Sequence, residues 1–455
     1  MASMTAVSNK DAFSLLIGDF AFLFLSLWVA LLVRYGGAIP EGASYAVHLK
    51  SFIFVFVASL IVFYVAGLYE KKIMLRRGEL PVIIFQSQLV NTALAMAFFY
   101  FLPYVDIAPK TNLFIYLGVS LLFLVFWRMY LAPMIGGGGT VERAVIVGEG
   151  IEMDSITKEL NNHRVYRTTV SGTVDVSRGD VREQSLIIRE YVARQNVSVI
   201  IIDTTHEKCA PLFSELYDLF LSHVRFIDLT TLYEDLFYRI PVTRISYGWC
   251  LANISVAPKV TYDVLKRIMD IVISLPLAAG SLVLYPFIIL LIKLDDRGSV
   301  FISQERIGKN DTLVRTSKFR SMTGNDAGEY GSDGLTNLTV TRAGRFLRRT
   351  RLDELPQLWA VVAGKLSLVG PRPELPSVVK KYEKEIPYFA IRHLIKPGLS
   401  GWAQIYGEHA HHGVDLDKTK DKLSYDLYYI KNRSFLLDLK IALKTIKLLL
   451  SRKGI

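Results

Sequence analysis

Two cysteines, Cys209 and Cys250, are too few in 455 residues to build a disulfide scaffold. Two thiols suit a reducing cytosol facing most of the soluble mass. Charge is also scarce: 21% of residues are charged and 51% are hydrophobic. That balance excludes a disordered chain, and 31 glycines exclude a collagen repeat. With a mean hydropathy of +0.32, the first inference is a membrane protein. Acidic groups are the rarer sign, 42 Asp and Glu against 53 Lys and Arg, for a formal net charge of +11. Basic charge on an apolar chain fits anionic lipid or phosphorylated substrates. It fits nucleic acid less well, and no nucleic-acid partner is expected. At about 150 residues per domain, the length allows about three domains.

The apolar residues are concentrated in the first third. Runs at 13–33, 52–69, 82–103 and 113–134 each approach the roughly 20 residues a helix needs to cross hydrocarbon. A cleaved signal peptide is not expected, because the first run is long and others follow it. Asp19 interrupts the first run, and its ordinary place is against neighbours in the bundle or near interfacial water. The loop after the second run carries Lys71, Lys72, Arg76 and Arg77, so it is read as cytoplasmic. Four spans then put the N-terminus and everything after the fourth run in the cytoplasm. The glycines at 136–139 read as a linker leaving the membrane.

An α/β pattern follows. Strand-like runs at 143–148, 198–203 and 224–228 alternate with helical stretches, which predicts a Rossmann-like doubly wound domain over 140–250. Gly148-Glu149-Gly150 begins a dinucleotide fingerprint, but Met153 stands where its third glycine belongs. A structural or regulatory role is the expectation there, through dimerisation or nucleotide sensing. A fifth apolar run, 271–294, contains Pro276 and Pro286. Proline removes a helical hydrogen bond, so a kink is expected near Ser274-Leu275-Pro276. The downstream segment is rich in Arg and Lys, as cytosolic phosphates require. We therefore expect a re-entrant helix over about 262–294, entering and returning on one side. Arg342, Arg345, Arg348 and Arg349 surround Phe346 and Leu347 in a basic amphipathic stretch suited to an anionic bilayer surface.

Asp353 and Glu354 are adjacent, follow a run of arginines, and precede an apolar turn at Leu355, Leu358 and Trp359. Adjacent carboxylates often just mark a solvated helix start. Beside several guanidiniums they stay ionised and can divide two jobs, attack on a phosphoryl group and the holding of a divalent cation. Gln304-Glu305-Arg306-Ile307-Gly308 and Lys318-Phe319-Arg320-Ser321-Met322 add three cations. Arg372 sits between Pro371 and Pro373, which stiffen its backbone, and arginine favours bidentate phosphate contact.

Residues from Lys266 onward resemble the bacterial sugar transferase domain of monotopic phosphoglycosyl transferases. The matching pieces, in family order, are Lys266-Arg267 with Asp270, Ser274 with Pro276, 304–308, 318–322, 353–357, 371–373, 393–398, 401–404 and 425–430. The whole arrangement resembles the large polyprenyl-phosphate hexose-1-phosphate transferases. The resemblance implies four membrane helices over 11–135, the Rossmann-like cytoplasmic domain, and an α/β catalytic domain over 259–455 with a re-entrant helix. It implies transfer of a sugar-1-phosphate from a UDP-sugar, glucose or galactose by default, to undecaprenyl phosphate, releasing UMP. Such a step starts capsule, exopolysaccharide or O-antigen synthesis at the bacterial inner membrane. On this resemblance Asp353 is the nucleophile and Glu354 the Mg²⁺ residue. Gln304, Arg306, Lys318, Arg320, Pro371, Arg372 and Pro373 lie at the substrate and phosphate site. A homodimer is the expected assembly. The chain departs from the family after Gln404: Ile405-Tyr406-Gly407-Glu408 replaces Val-Asn-Gly-Arg, which bears on sugar recognition.

Other readings have their own residues. His409, His411 and His412, with Asp415 and Asp417, have loose zinc-ligand spacing, although a loop over the active site explains them as well. Tyr262 and Lys266 have the spacing of a short-chain dehydrogenase pair, so a membrane-bound nucleotide-sugar dehydratase is the enzymatic alternative. Tyr262 abuts an apolar hairpin, and no second glycine-rich fingerprint follows, which count against it. A non-catalytic scaffold for glycan assembly is the non-enzyme alternative, and the intact Asp353-Glu354 pair argues against it.

Overall fold

The computed structural model describes residues 9–37, 45–69, 77–101, 110–135, 141–163, 166, 168–204, 206–222, 224–255, 257, 259–323, 338–407 and 416–450. Lys71, Lys72, Arg76, the 136–139 glycines, Glu408, His409, His411, His412 and Asp415 lie outside them. The chain divides into two compact units, Met1–Leu232 and Tyr233–Ile455.

The first unit opens with helices Asn9–Arg34, Tyr45–Ala66, Leu80–Phe101 and Lys110–Phe126, the last continuing through a π turn at Trp127–Leu131. Four segments here are long and apolar enough to cross a membrane, which fits a membrane-associated protein. Their shared interior is built from Leu23, Leu27, Leu31, Phe52, Phe56, Phe63 and Leu124. Asp19 is buried among them and finds a cation inside the bundle. Arg128 Nε donates to its Oδ1 at 2.9 Å, and the Tyr69 hydroxyl donates to its Oδ2 at 2.7 Å. Arg128 Nη1 also donates to Leu68 O at 2.9 Å. A Cβ on Gly18 would come within 1.9 Å of the Trp127 ring, so only glycine lets that indole, and Arg128 beside it, approach so closely.

The same unit contains a four-stranded parallel sheet in the order β2-β1-β3-β4. Its strands are β1 Glu142–Gly148, β2 Thr168–Asp175, β3 Val199–Ile202 and β4 Arg225–Asp228. β1 and β3 are central, and their buried stretches 144–147 and Val199–Ile202 are wholly apolar, as strands covered on both faces are. Helices Ile151–Asn162 and Val181–Gln195 lie in the crossovers, and Ile188, Val197 and Leu212 join the core against Val145 and Ile200. The edge strand β2 has no counterpart in the sequence reading. Its Thr, Ser and Gly residues carry neither alternation nor an apolar run.

In the second unit, helix Val260–Ser281 is continuous through Pro276. The chain then breaks and continues as Tyr285–Asp296, the two segments bent by 56°. The break falls at 282–284, beyond the Ser274-Leu275-Pro276 position at which a kink is expected from the sequence. Three-residue turn bonds close that break, Leu282 N to Ala279 O at 3.2 Å and Leu284 N to Ser281 O at 2.9 Å. Pro286 follows in the first turn of the next helix, where a missing N–H leaves nothing unpaired. Beyond it come an antiparallel hairpin, β5 Phe301–Ile307 with β6 Leu313–Phe319, and a short parallel pair, β7 Ser367–Val369 with β8 Gly398–Ser400. Helices Pro376–Glu385, Leu416–Asn432 and Phe435–Leu450 complete the unit. Trp402, Tyr429, Ile430 and Ile441 pack beneath Met269 of the long helix.

Candidate active site

Helix Arg342–Thr350 delivers the two carboxylates. Thr341 caps its start by accepting from Gly344 N at 2.9 Å. Ala343, Gly344 and Leu347 face inward, while Arg342, Arg345, Phe346 and Arg349 are exposed. A Cβ on Gly344 would meet Ser321 O at 1.9 Å, so the helix sits on the 318–322 segment at glycine distance. Arg348 Nε reaches Ser321 Oγ at 3.1 Å. Arg351 then takes a left-handed conformation, φ +58°, and turns the chain into a 3-10 turn at Leu352–Glu354.

Asp353 is buried in that turn, and its Oδ1 has no hydrogen-bond partner among the described residues. Burial and the neighbouring Glu354 charge push its pKa up to about 6, against the pull of Lys318, Arg348 and Arg351. Glu354 is pulled the opposite way. Burial opposes its charge, but the Arg372 guanidinium, donating to Oε1 at 2.6 Å, holds it below the ordinary carboxylate range. Arg351 stands 3.7 Å from the same oxygen. The two neighbours therefore have distinct characters: one buried carboxylate with an unengaged oxygen, and one firmly ionised. An unengaged carboxylate oxygen beside an ionised one fits a hard divalent cation, which takes oxygen ligands.

Other residues singled out from the sequence frame this turn. Arg306 Nη1 donates to Pro373 O at 2.6 Å, and its Nη2 to Gln304 Oε1 at 2.9 Å. Pro371 O accepts from Gly398 N at 2.9 Å. Lys318 acts on Asp353 through its charge. Arg320 is buried, and its Nε donates to Ser299 O at 2.6 Å, clamping the entry to β5.

The long helix supports the site from below. Arg267 donates to Val361 O at 2.8 Å and Val362 O at 2.7 Å. It thereby caps helix Gln357–Val362, which follows the carboxylates. Asp270 accepts from Leu368 N at 3.0 Å and Ser367 Oγ at 3.1 Å. Lys266 donates to Val369 O and to Asp438 Oδ2, both at 2.8 Å. Tyr262 also donates to Asp438 Oδ2, at 2.9 Å. The tyrosine and lysine thus share one buried carboxylate. Ser274 is buried on the same helix as Pro276, and its hydroxyl has no partner among the described residues. Asp417 is exposed at the start of helix Leu416–Asn432.

Four further charged residues escaped the sequence reading. Arg392 pairs with Asp426 at 2.8 Å, and Lys422 pairs with Glu374. Burial works against the Glu374 charge, yet Lys422 and Arg392 hold it far below the ordinary range. Three of these, Glu374, Arg392 and Asp426, adjoin or lie within motifs already recognised at 371–373, 393–398 and 425–430, which was the available signal. His393 points elsewhere, with Nδ1 2.6 Å from Asp311 in the β5–β6 turn.

The family profile described as bacterial sugar transferase matches residues 261–452. The exopolysaccharide production protein PSS of Rhizobium leguminosarum bv. phaseoli is 38% identical over 191 residues, 40% of this chain and 94% of that protein. The chain belongs to the bacterial sugar transferase family. Two longer relatives of this bacterial sugar transferase are matched over about half their length. The UDP-N-acetylgalactosamine-undecaprenyl-phosphate N-acetylgalactosaminephosphotransferase of Aeromonas hydrophila is 41% identical over 206 residues, 44% of this chain and 47% of the relative. The undecaprenyl-phosphate glucose phosphotransferase of Komagataeibacter xylinus is 32% identical over 328 residues, 67% of this chain and 58% of the relative.

Proposed function

We propose that this bacterial sugar transferase moves a sugar-1-phosphate from a UDP-sugar to undecaprenyl phosphate and releases UMP. The observation that carries the reading is Asp353, buried beside Glu354 with a free Oδ1 and a pKa of only about 6. At neutral pH most of it is ionised, and no hydrogen bond from the described residues blunts the attacking oxygen. Asp353 attacks the phosphorus bearing the sugar. A P–O bond forms, and the bond to the bridging oxygen breaks, so UMP leaves with that oxygen and its electron pair. A phosphate oxygen of the lipid then attacks the same phosphorus, and the carboxylate leaves intact. Two displacements mean that a soluble donor and a membrane acceptor need not share the site at once.

Glu354, with Asp353 beside it, would hold Mg²⁺, which when bound supplies positive charge to the pyrophosphate oxygens. Arg372 orients Glu354 and faces the donor phosphates, with Gln304, Arg306 and Lys318 around it. Arg320 fixes the segment on which Lys318 lies. Helix Val260–Ser281 and its bent partner form the re-entrant element, carrying the site at the cytoplasmic face of the inner membrane. The sheet of the first unit is a Rossmann-like domain, and its incomplete glycine fingerprint favours a structural or regulatory role. The product opens a capsule, exopolysaccharide or O-antigen chain.

The test is nucleotide release. The protein is mixed with Mg²⁺, undecaprenyl phosphate and a panel of UDP-sugars, and UMP and UDP are measured separately. UMP with one donor is the expected result, and names the sugar. UDP in its place would mean ordinary glycosyl transfer and would remove the nucleophile's role from Asp353. With labelled donor alone, phosphosugar should stay on the protein and be absent from Asp353→Asn. Chelation should stop turnover and added Mg²⁺ restore it.

A further inference from the structure

Guanidiniums hold the backbone that presents Arg372. Arg392 lies on the 3-10 stretch Phe389–Leu394, with its side chain 2% exposed. Its Nη2 donates to Arg372 O at 3.0 Å and to Asp426 Oδ2 at 2.8 Å. Its Nη1 is 3.6 Å from Glu374 Oε1. Asp426, on helix Leu416–Asn432, is equally buried, and Lys422 one turn earlier completes the set on Glu374. From the other side Arg306 donates to Pro373 O, Gly398 N to Pro371 O, and Ile307 N to Glu374 O. Every carbonyl from Pro371 to Glu374 therefore has a donor. Only at Arg372 does that donor come from a side chain that is itself fully buried and paired.

A fixed carbonyl at Arg372, with Pro371 fixing its own φ and Pro373 holding Arg372 to extended backbone, sets the direction in which the Arg372 side chain leaves the backbone. That direction ends on Glu354 Oε1 at 2.6 Å. One end of the Arg392 guanidinium, Nη2, serves the Arg372 carbonyl and the Asp426 carboxylate together, while the other end, Nη1, stands beside Glu374. Stability alone does not account for such an arrangement, because apolar residues of similar volume commonly serve as well as a buried ion pair.

We infer that Arg392, oriented by Asp426, is a positioning residue that acts on the reaction through Arg372, holding its guanidinium on Glu354 and toward the donor phosphates. The catalytic part of this inference rests on the transfer reaction proposed above.

The experiment has two readouts on the full chain in detergent. The first is independent of turnover. Arg372→Ala and Glu354→Gln are combined in a melting-temperature cycle, with Arg392 and Asp426 intact and again in an Arg392→Met/Asp426→Leu background. The cycle should be non-additive in the first background and additive in the second, because the clamp no longer delivers Arg372 to Glu354. Coupling that survives loss of the clamp overturns the inference. The second readout is kcat against KM for the donor. The Arg392→Met/Asp426→Leu protein should lose on the order of 10- to 100-fold in kcat with KM little changed. The same two substitutions added to Arg372→Ala should cost little more, whereas an equal further loss would show that Arg392 does not act through Arg372. Should the apolar pair fail to fold, Arg392→Lys keeps the charge without the fork and should show the same loss of coupling. A wild-type protein that releases no UMP but shows the clamp-dependent coupling would overturn the reaction and leave the positioning intact.

Discussion

Asp19 and Arg128, from the first and last of the four apolar helices, form a buried ion pair inside the first unit. The Tyr69 hydroxyl and the Leu68 carbonyl complete its hydrogen bonds. Removing one member leaves a charge stranded in an apolar bundle. Arg128→Met is therefore expected to destabilise the bundle by about 3–5 kcal/mol. Adding Asp19→Leu should return most of that loss, because a well-packed apolar pair of similar volume replaces the ions at little cost. Thermal melting of the three proteins in one detergent checks this. Equal melting temperatures for the single and double variants would count against it.

Asp353 is held in an environment that disfavours its own charge. A carboxyl whose folded-state pKa is raised to about 6 takes up a proton on folding between roughly pH 4 and pH 6. The folded state thus loses stability as pH rises through that window, and the loss is complete above it. Asp353→Asn should abolish phosphosugar transfer while stabilising the protein at pH 8 by on the order of 1–3 kcal/mol. The advantage should fade by about pH 4, where both forms are neutral. A variant less stable than wild type at pH 8 would contradict this.

Arg372 carries the opposite consequence for Glu354. Its guanidinium keeps Glu354 ionised below the usual carboxylate range, so that stabilisation is present at neutral pH and lost on acidification. Arg372→Lys keeps a charge but not a planar fork, and kcat/KM should fall by about 100-fold or more. With Arg372→Ala, the acid limb of the rate profile should move to higher pH as Glu354 protonates more readily. A profile with unchanged limbs would show that Glu354 does not depend on Arg372.

Gly344 tests how the carboxylate turn is seated. Gly344→Ala puts a methyl where the Ser321 carbonyl lies 1.9 Å away, and backbone cannot yield as a flexible side chain can. A loss of about 1–3 kcal/mol is expected from overpacking. Turnover should fall as well, since helix Arg342–Thr350 leads directly into Leu352–Glu354. An unchanged melting temperature would mean that the helix has room to move.

The features legible in the sequence are those written in consecutive residues. A membrane helix needs only an unbroken apolar run, so the four spans were readable within a few residues of their ends. Strands β1 and β3 were readable from the apolar runs 144–147 and Val199–Ile202, while β2 was not, because its Thr, Ser and Gly residues form no such run. Pro276 did not end the helix: proline removes one hydrogen bond, yet the helix continues to Ser281, and the break lies in the turn before Pro286.

By itself the sequence determined the apolar third, the basic excess, the adjacent Asp353-Glu354 pair and the proline-flanked Arg372. Each is a matter of composition or of neighbours along the chain, and needs no folded partner to be recognised. The tertiary structure alone decided that Asp353 has a bare oxygen while Glu354 is paired, that Asp19 meets Arg128, and that Arg392 grips the carbonyl of Arg372. These depend on which distant side chains arrive within about 3 Å and on how much water they exclude. Burial and charge pairing are properties of the packed interior, where two carboxylates on adjacent residues acquire opposite shifts.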